Sequence, residues 1–218
     1  MDTATRTAVR AVLLDYGGVL TNPIQESLVT FATRNGLTAR QINEAVLAVS
    51  VREGYSLMGA LETGLVTEIE VARKVSVELS RVLGRPVDIV EYREQWFGCR
   101  LPNDAFLRYL PSLRARGYVL GLLTNNVREW RTSWRAGVPV SLFDVVVDSS
   151  AEGVRKPDER FYRVALDRLA GFGLAPDACL MVDDVEENCA AATGTGMRAV
   201  RFTSTEETIT AIERELRS

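Results

Sequence analysis

The chain has 218 residues, 46% of them hydrophobic and 25% charged, the balance of one globular core with a lesser appendage. Its 26 basic and 29 acidic side chains leave a net charge of −3 with no run of like charge, so nucleic acid and membrane surfaces gain no electrostatic hold and small molecules are the expected partners. Histidine is absent, which excludes Ser-His-Asp and Cys-His catalysis and any histidine-bound zinc or iron; a catalytic metal here has to sit among oxygen ligands, where magnesium is the usual occupant.

Cys99, Cys179 and Cys189 are odd in number, far apart and set among apolar neighbours, the usage of reduced thiols in a cytoplasmic protein. Residues 1–10 hold no long apolar stretch, and no later segment approaches the roughly 20 apolar residues of a membrane span, so a soluble, unexported chain is expected. Only two of the 26 basic residues are lysines, Lys74 and Lys156, which marks both as places where an ammonium rather than a guanidinium is wanted.

In chain order, Val9 to Leu14 is an apolar run that stops at Asp15-Tyr16-Gly17-Gly18, the profile of a buried parallel strand ending in a tight loop. Pro23 to Asn35 repeats Ile24, Leu28 and Phe31 at helical spacing, and Gly36 follows as a stop. Thr38 with Gln41 makes a capping box ahead of Ile42, Ala45 and Val49; Thr67 with Glu70 makes another ahead of Val71, Val75, Leu79 and Val82. From Pro102 a helix with Phe106, Leu110 and Leu113 ends near Gly117, and Tyr118 to Leu123 is the next apolar strand. The later runs Phe143 to Val147, Leu180 to Val182 and Ala199 to Phe202 alternate with helical stretches such as the one carrying Phe161, Ala165 and Leu169. The fold class is therefore α/β: a Rossmann-like parallel-sheet core made of residues 1–21 and 102–218, interrupted after its first strand by an α-helical insert over 22–101.

Ligands of such a sheet lie beyond the carboxyl ends of its strands, so the residues that close each apolar run carry the interest. They are Asp15, then Thr124-Asn125, then Arg155-Lys156-Pro157, then Asp183-Asp184. Singly, each is an ordinary turn or cap. Together they would set three carboxylates side by side, an arrangement that is costly unless a cation lies between them, and Lys156 supplies only one compensating charge.

With those residues in hand the chain resembles the haloacid dehalogenase-like hydrolases, because Leu14-Asp15-Tyr16-Gly17-Gly18-Val19-Leu20, Leu122-Leu123-Thr124-Asn125, Lys156-Pro157 and Val182-Asp183-Asp184 with Asn188 look like that superfamily's four motifs in order. The stretch Leu61-Glu62-Thr63-Gly64 followed by Thr67 fits its helical cap of the subfamily I type. The resemblance implies a magnesium-dependent hydrolase of a small phosphorylated metabolite. Asp15 would be the nucleophile that forms an aspartyl-phosphate, Lys156 its neutralising partner, and Thr124 and Asn125 the substrate-binding residues. Asp15, the Gly17 carbonyl, Asp183 and Asp184 would hold the metal. Outside the resemblance, Thr124 also reads as a strand-end cap and Lys156 as a loop charge.

One position departs from the pattern. Phosphatases of this superfamily carry a second Asp two residues after the nucleophile, where it moves protons, and here that position is Gly17. Glycine keeps the carbonyl but not the acid, and acid–base help is typically worth about 10²- to 10⁴-fold. Glu53 and Glu186 are the substitutes the sequence offers. Two alternatives follow from the same gap: a 2-haloacid dehalogenase, whose family members lack that Asp and use no metal, and a binding or regulatory protein on the same fold. Cap residues Arg52, Glu53, Tyr55 and Met58 are candidates to face substrate. Thr193-Gly194-Thr195-Gly196-Met197 reads as a turn, and Trp96-Phe97 as packing or hinge.

Overall fold

The computed structural model of the chain describes residues 7–89 and 92–218; residues 1–6 of the expected first core segment lie outside it, as do residues 90 and 91 of the insert. Five strands, β1 (Ala11–Leu14), β2 (Val119–Thr124), β3 (Val145–Asp148), β4 (Cys179–Asp183) and β5 (Arg198–Arg201), form one all-parallel sheet in the order β3-β2-β1-β4-β5. Every residue of β1 is buried, because the strand is covered on both faces and paired on both edges, with Leu14 opposite Leu122 on one side and Val182 on the other. That is why its sequence is a continuous apolar run instead of an alternation.

Successive side chains of the strands feed opposite faces. Val12, Leu14, Leu120, Leu122, Leu180 and Val182 pack with α6 (Asp104–Ala115), through Phe106, Leu110 and Leu113, and with α11 (Thr205–Leu216), through Ile212. Leu13, Leu123, Val145, Val147 and Met181 pack on the other face against Phe161, Ala165 and Leu169 of α9 (Glu159–Ala170). Shorter helices α7 (Arg131–Ala136) and α8 (Ser149–Glu152), with α10 (Glu186–Gly194), complete the core. Chain connections run from β1 to β2 and β3 on one side and then to β4 and β5 on the other, so strand order reverses between β1 and β4, opening a crevice at their carboxyl ends.

The residues between β1 and β2 are helical: α1 (Ile24–Arg34), α2 (Ala39–Glu53), α3 (Leu57–Glu62), α4 (Glu68–Leu83) and α5 (Arg93–Phe97), with no strand among the described residues there. Both capping boxes form, at Thr38/Gln41 and Thr67/Glu70. Ile42, Ala45, Val49, Val71, Val75 and Leu79 join Phe31 in an apolar cluster of the insert's own, to which the core adds Val127. Two residues of the helical pattern turn outward: Val82 is exposed near the end of α4, and Ile24 is 54% exposed because it opens α1 beside the crevice instead of beneath it. The two crossings into and out of the insert are tied together, with Asn22 N–H donating to Leu101 O at 2.8 Å and Asn103 N–H to Leu20 O at 2.9 Å around an antiparallel bridge of Thr21 with Pro102. All three cysteines are buried and free, the Thr193–Met197 stretch ends α10 and turns into β5, and no helix of the described residues is long and apolar enough to cross a membrane.

Gly121 is needed where β2 passes β1, since a Cβ there would collide with the fully buried Leu13 Cδ2, which has no room to retreat. Gly121→Ala is expected to destabilise the fold by about 1–3 kcal/mol through overpacking, measured as a lower denaturation midpoint with unchanged denaturant sensitivity.

Candidate active site

Asp15 sits where β1 stops. Its backbone N–H completes the ladder by donating to Val182 O at 2.9 Å, and its side chain turns back so that Oδ1 accepts the Tyr16 N–H at 2.7 Å. The chain then makes one wide turn over Tyr16–Leu20, closed by Thr21 N–H donating to Tyr16 O at 3.1 Å. Gly18 occupies that turn at φ +86°, and a Cβ on it would land on the carboxylate of Asp184. Glycine at 18 therefore does two things: it allows the left-handed backbone and it leaves the room that Asp184 fills.

Lys156 is fully buried and reaches two carboxylates, with Nζ 2.7 Å from Asp15 Oδ1 and 2.6 Å from Asp183 Oδ2. Its loop is fixed from β2: Asn125 Oδ1 accepts the Lys156 N–H at 2.8 Å while Asn125 Nδ2 donates to the Lys156 carbonyl at 3.0 Å. The Asn125 amide thus holds the lysine's peptide from both sides. The buried Thr124 hydroxyl beside it is held more loosely: among the described residues its hydrogen bonds are long ones, donating to Asn125 O and accepting from Asn126 Nδ2, both at 3.4 Å.

Asp183 is the most committed of the acids. Besides Lys156 it accepts the Val185 N–H at 3.0 Å and Asn188 Nδ2 at 2.9 Å, both on Oδ1. Carboxylate oxygens of Asp15, Asp183 and Asp184 all lie within 4.8 Å of one another. One ammonium does not neutralise three such carboxylates, and a hard divalent cation with all-oxygen ligands fits the donor set and the space that Gly18 leaves.

The electrostatics carry the mark of this crowding. Burial pushes the Asp15 carboxyl up to about 7; Lys156 pulls it down, and Asp183 and Asp184 add to the rise. Asp184 is also raised, by burial and then by Asp183. For Lys156 burial acts downward, yet Asp15 and Asp183 together outweigh it and hold the ammonium charged.

The site residues read from the sequence, Asp15, Gly17, Thr124, Asn125, Lys156, Asp183 and Asp184, lie on consecutive strand ends of one crevice. The two offered substitutes for the missing acid are engaged elsewhere: Glu53 pairs with Lys74 and Glu186 with Arg201. Arg52 pairs with Glu78. Three contributors were not singled out in the sequence. Gly18 makes room for Asp184. Ser149 accepts the Asn126 N–H at 2.9 Å and donates to Glu62 O of the insert at 2.6 Å. Arg100 lies against Tyr16 and Gly17. Of these only Gly18, next to Gly17 in a strand-end loop, carried a local signal.

A family model of haloacid dehalogenase-like hydrolases matches residues 9–196. The chain is 36% identical over 94 residues to the phosphoserine phosphatase of Thermus thermophilus, across 42% of this chain and 36% of that one. It is 31% identical over 106 residues to acyl-CoA dehydrogenase family member 10 of Mus musculus, across 48% of this chain and 9% of that one. In both cases it spans well under two thirds of the relative's length. Among solved structures, a HAD family enzyme from Bacteroides thetaiotaomicron superposes with a TM-score of 0.71 at 20% identity over 94% of this chain and 99% of that one, a likeness of fold. That enzyme is also known in complex with magnesium and inorganic phosphate, and in that form the TM-score is 0.66 at 21% identity over 89% of this chain and 94% of that one.

The raised Asp15 carboxyl makes metal-free stability depend on pH. The folded chain keeps this proton up to about pH 7 whereas the unfolded chain releases it near the ordinary aspartate value of 3.8, so folding weakens as pH climbs through that window. In chelator-treated protein, Asp15→Asn should gain stability over the wild type between pH 4 and 7 and hold that gain above it. Chemical denaturation at a series of pH values reads this directly, and a constant offset between the two proteins would refute it.

Proposed function

This chain belongs to the haloacid dehalogenase-like hydrolase family, and from that premise we propose that it is a magnesium-dependent phosphatase of a small phosphorylated metabolite, with Asp15 as nucleophile. The observation that carries the reading is the meeting of Asp15, Asp183 and Asp184 around buried Lys156 at the reversal point of the sheet. Phosphatases among the relatives support it, as does the neighbour solved with magnesium and phosphate.

In this reading Asp15 attacks phosphorus and forms an aspartyl-phosphate that water hydrolyses. Lys156 favours the ionised form of the attacking carboxylate and balances the phosphoryl oxygens, while the loosely held Thr124 hydroxyl donates to one of those oxygens. Asn125 acts through Lys156, whose peptide it grips from both sides. Asp15, the Gly17 carbonyl and Asp184 would hold the magnesium, with Asp183 orienting Lys156 and reaching the metal directly or through water; the ion would supply charge for the transferring phosphoryl group. Residues 22–101 serve as a helical cap over this crevice, with residues 1–21 and 102–218 as the core.

Dehalogenation is the weaker reading, since it does not need the adjacent metal-binding carboxylates Asp183 and Asp184, and Gly18 shapes the loop around the carboxylate of Asp184. A non-catalytic binding protein draws on Gly17 alone.

A screen of metabolite phosphates with magnesium, run beside Asp15→Asn, tests the proposal: the variant should lose at least about 10³-fold in kcat/KM. Retained activity would remove Asp15 from its role. Because Gly17 cannot transfer a proton, acyl and aryl phosphates should turn over about 10²- to 10⁴-fold faster than alkyl phosphates.

A further inference from the structure

Arg100 is a cation whose surroundings do not account for it. It lies where the insert returns to the core, half-buried, with Nη1 donating to Ser27 Oγ at 3.0 Å, Nη2 donating to Thr21 Oγ1, and Cζ 5.8 Å from the centre of the Tyr16 ring. A further hydrogen bond joins the guanidinium to the Tyr16 hydroxyl; these partners are neutral, and three hydrogen bonds still leave guanidinium N–H groups unspent. Among the described residues no carboxylate lies within ion-pair distance, although Asp15 and Asp184 act on the guanidinium at longer range. A Cβ built on Gly17 would stand 3.4 Å from Arg100 Nη2 and 3.0 Å from Ile24 Cδ1. The guanidinium thus borders the space that a side chain two residues beyond the nucleophile would enter, with exposed Ile24 as the other wall.

We propose that Arg100 contacts the leaving-group oxygen of the substrate and stabilises its negative charge as it departs, an inference that rests on the phosphatase reading. As Asp15 forms its bond to phosphorus, the bond from phosphorus to the leaving oxygen breaks and the electron pair stays on that oxygen. The oxygen leaves as an anion hydrogen-bonded to the guanidinium. No proton moves from Arg100, which stays charged throughout, and solvent protonates the product. Water then attacks the phosphorus of the intermediate, releasing inorganic phosphate and restoring the Asp15 carboxylate. The side chain acts here as a fixed cation does in phosphoryl transfer, by charge instead of by acid catalysis.

The benefit grows with the charge left on the oxygen, so it is largest for poor leaving groups. Arg100→Met should lower kcat/KM about 10²- to 10³-fold with alkyl phosphates and less than about tenfold with acetyl or 4-nitrophenyl phosphate, steepening the leaving-group dependence. Arg100→Lys keeps a cation at the same place and should recover most of the alkyl-phosphate turnover that Arg100→Met loses, which guards against a variant at 100 that folds poorly. A uniform loss across the series, a loss confined to KM, or alkyl turnover in Arg100→Lys as low as in Arg100→Met would overturn the role of Arg100 and leave the phosphatase reading standing. A wild type inactive on every member would overturn both.

Discussion

Lys156 between Asp15 and Asp183 is the contact on which the rest of the crevice depends. A fully buried ammonium is unfavourable alone, and so is each of the carboxylates it meets at 2.7 and 2.6 Å; each is tolerated because the other is there. The fold commits several groups to keeping this arrangement: Asn125 clasps the lysine's peptide, Asn188 and the Val185 N–H fix Asp183, and the Tyr16 N–H fixes Asp15. These partners come from three different strand ends, so the charges are positioned by sheet register rather than by any one loop. Asp184 is the remainder of this arrangement. With one ammonium set against three nearby acids, its carboxylate keeps an unbalanced charge that a divalent cation suits well.

Much of the core could be read from the chain because a doubly covered parallel sheet writes itself as apolar runs. β1 is wholly apolar, and β2 and β4 are nearly free of polar residues until their last position, so Asp15 just after β1, Thr124 at the end of β2 and Asp183 at the end of β4 stood out as interruptions. The helix starts at Thr38 and Thr67 were equally visible, since a capping box is a local pattern of four residues.

What stayed hidden depends on contacts distant in sequence. Ile24 fits the apolar spacing of α1, but periodicity does not distinguish an inward face from one turned toward a cleft. Asn125 was legible as a polar residue at a strand tip; its hold on a peptide of the loop after β3 is a contact that no spacing rule reveals. Gly18 is required by an acid from another strand, and Arg100 acquires meaning only once the insert has folded back on the first loop. Glu53 and Glu186 were chosen for their chemistry, and their pairing with Lys74 and Arg201 is set by tertiary neighbours.

The paired crossings at Thr21 and Pro102 separate two histories within one molecule. Because the segments that leave and rejoin the core are stitched to each other by backbone groups, reinforced by the Asn22 and Asn103 side chains at the same two points, what lies beyond that stitch can lengthen, shrink or be exchanged while the first strand keeps its alignment. A graft of foreign helices at these two points would inherit a prepared attachment, which makes the junction a natural socket for redesigning what the crevice admits.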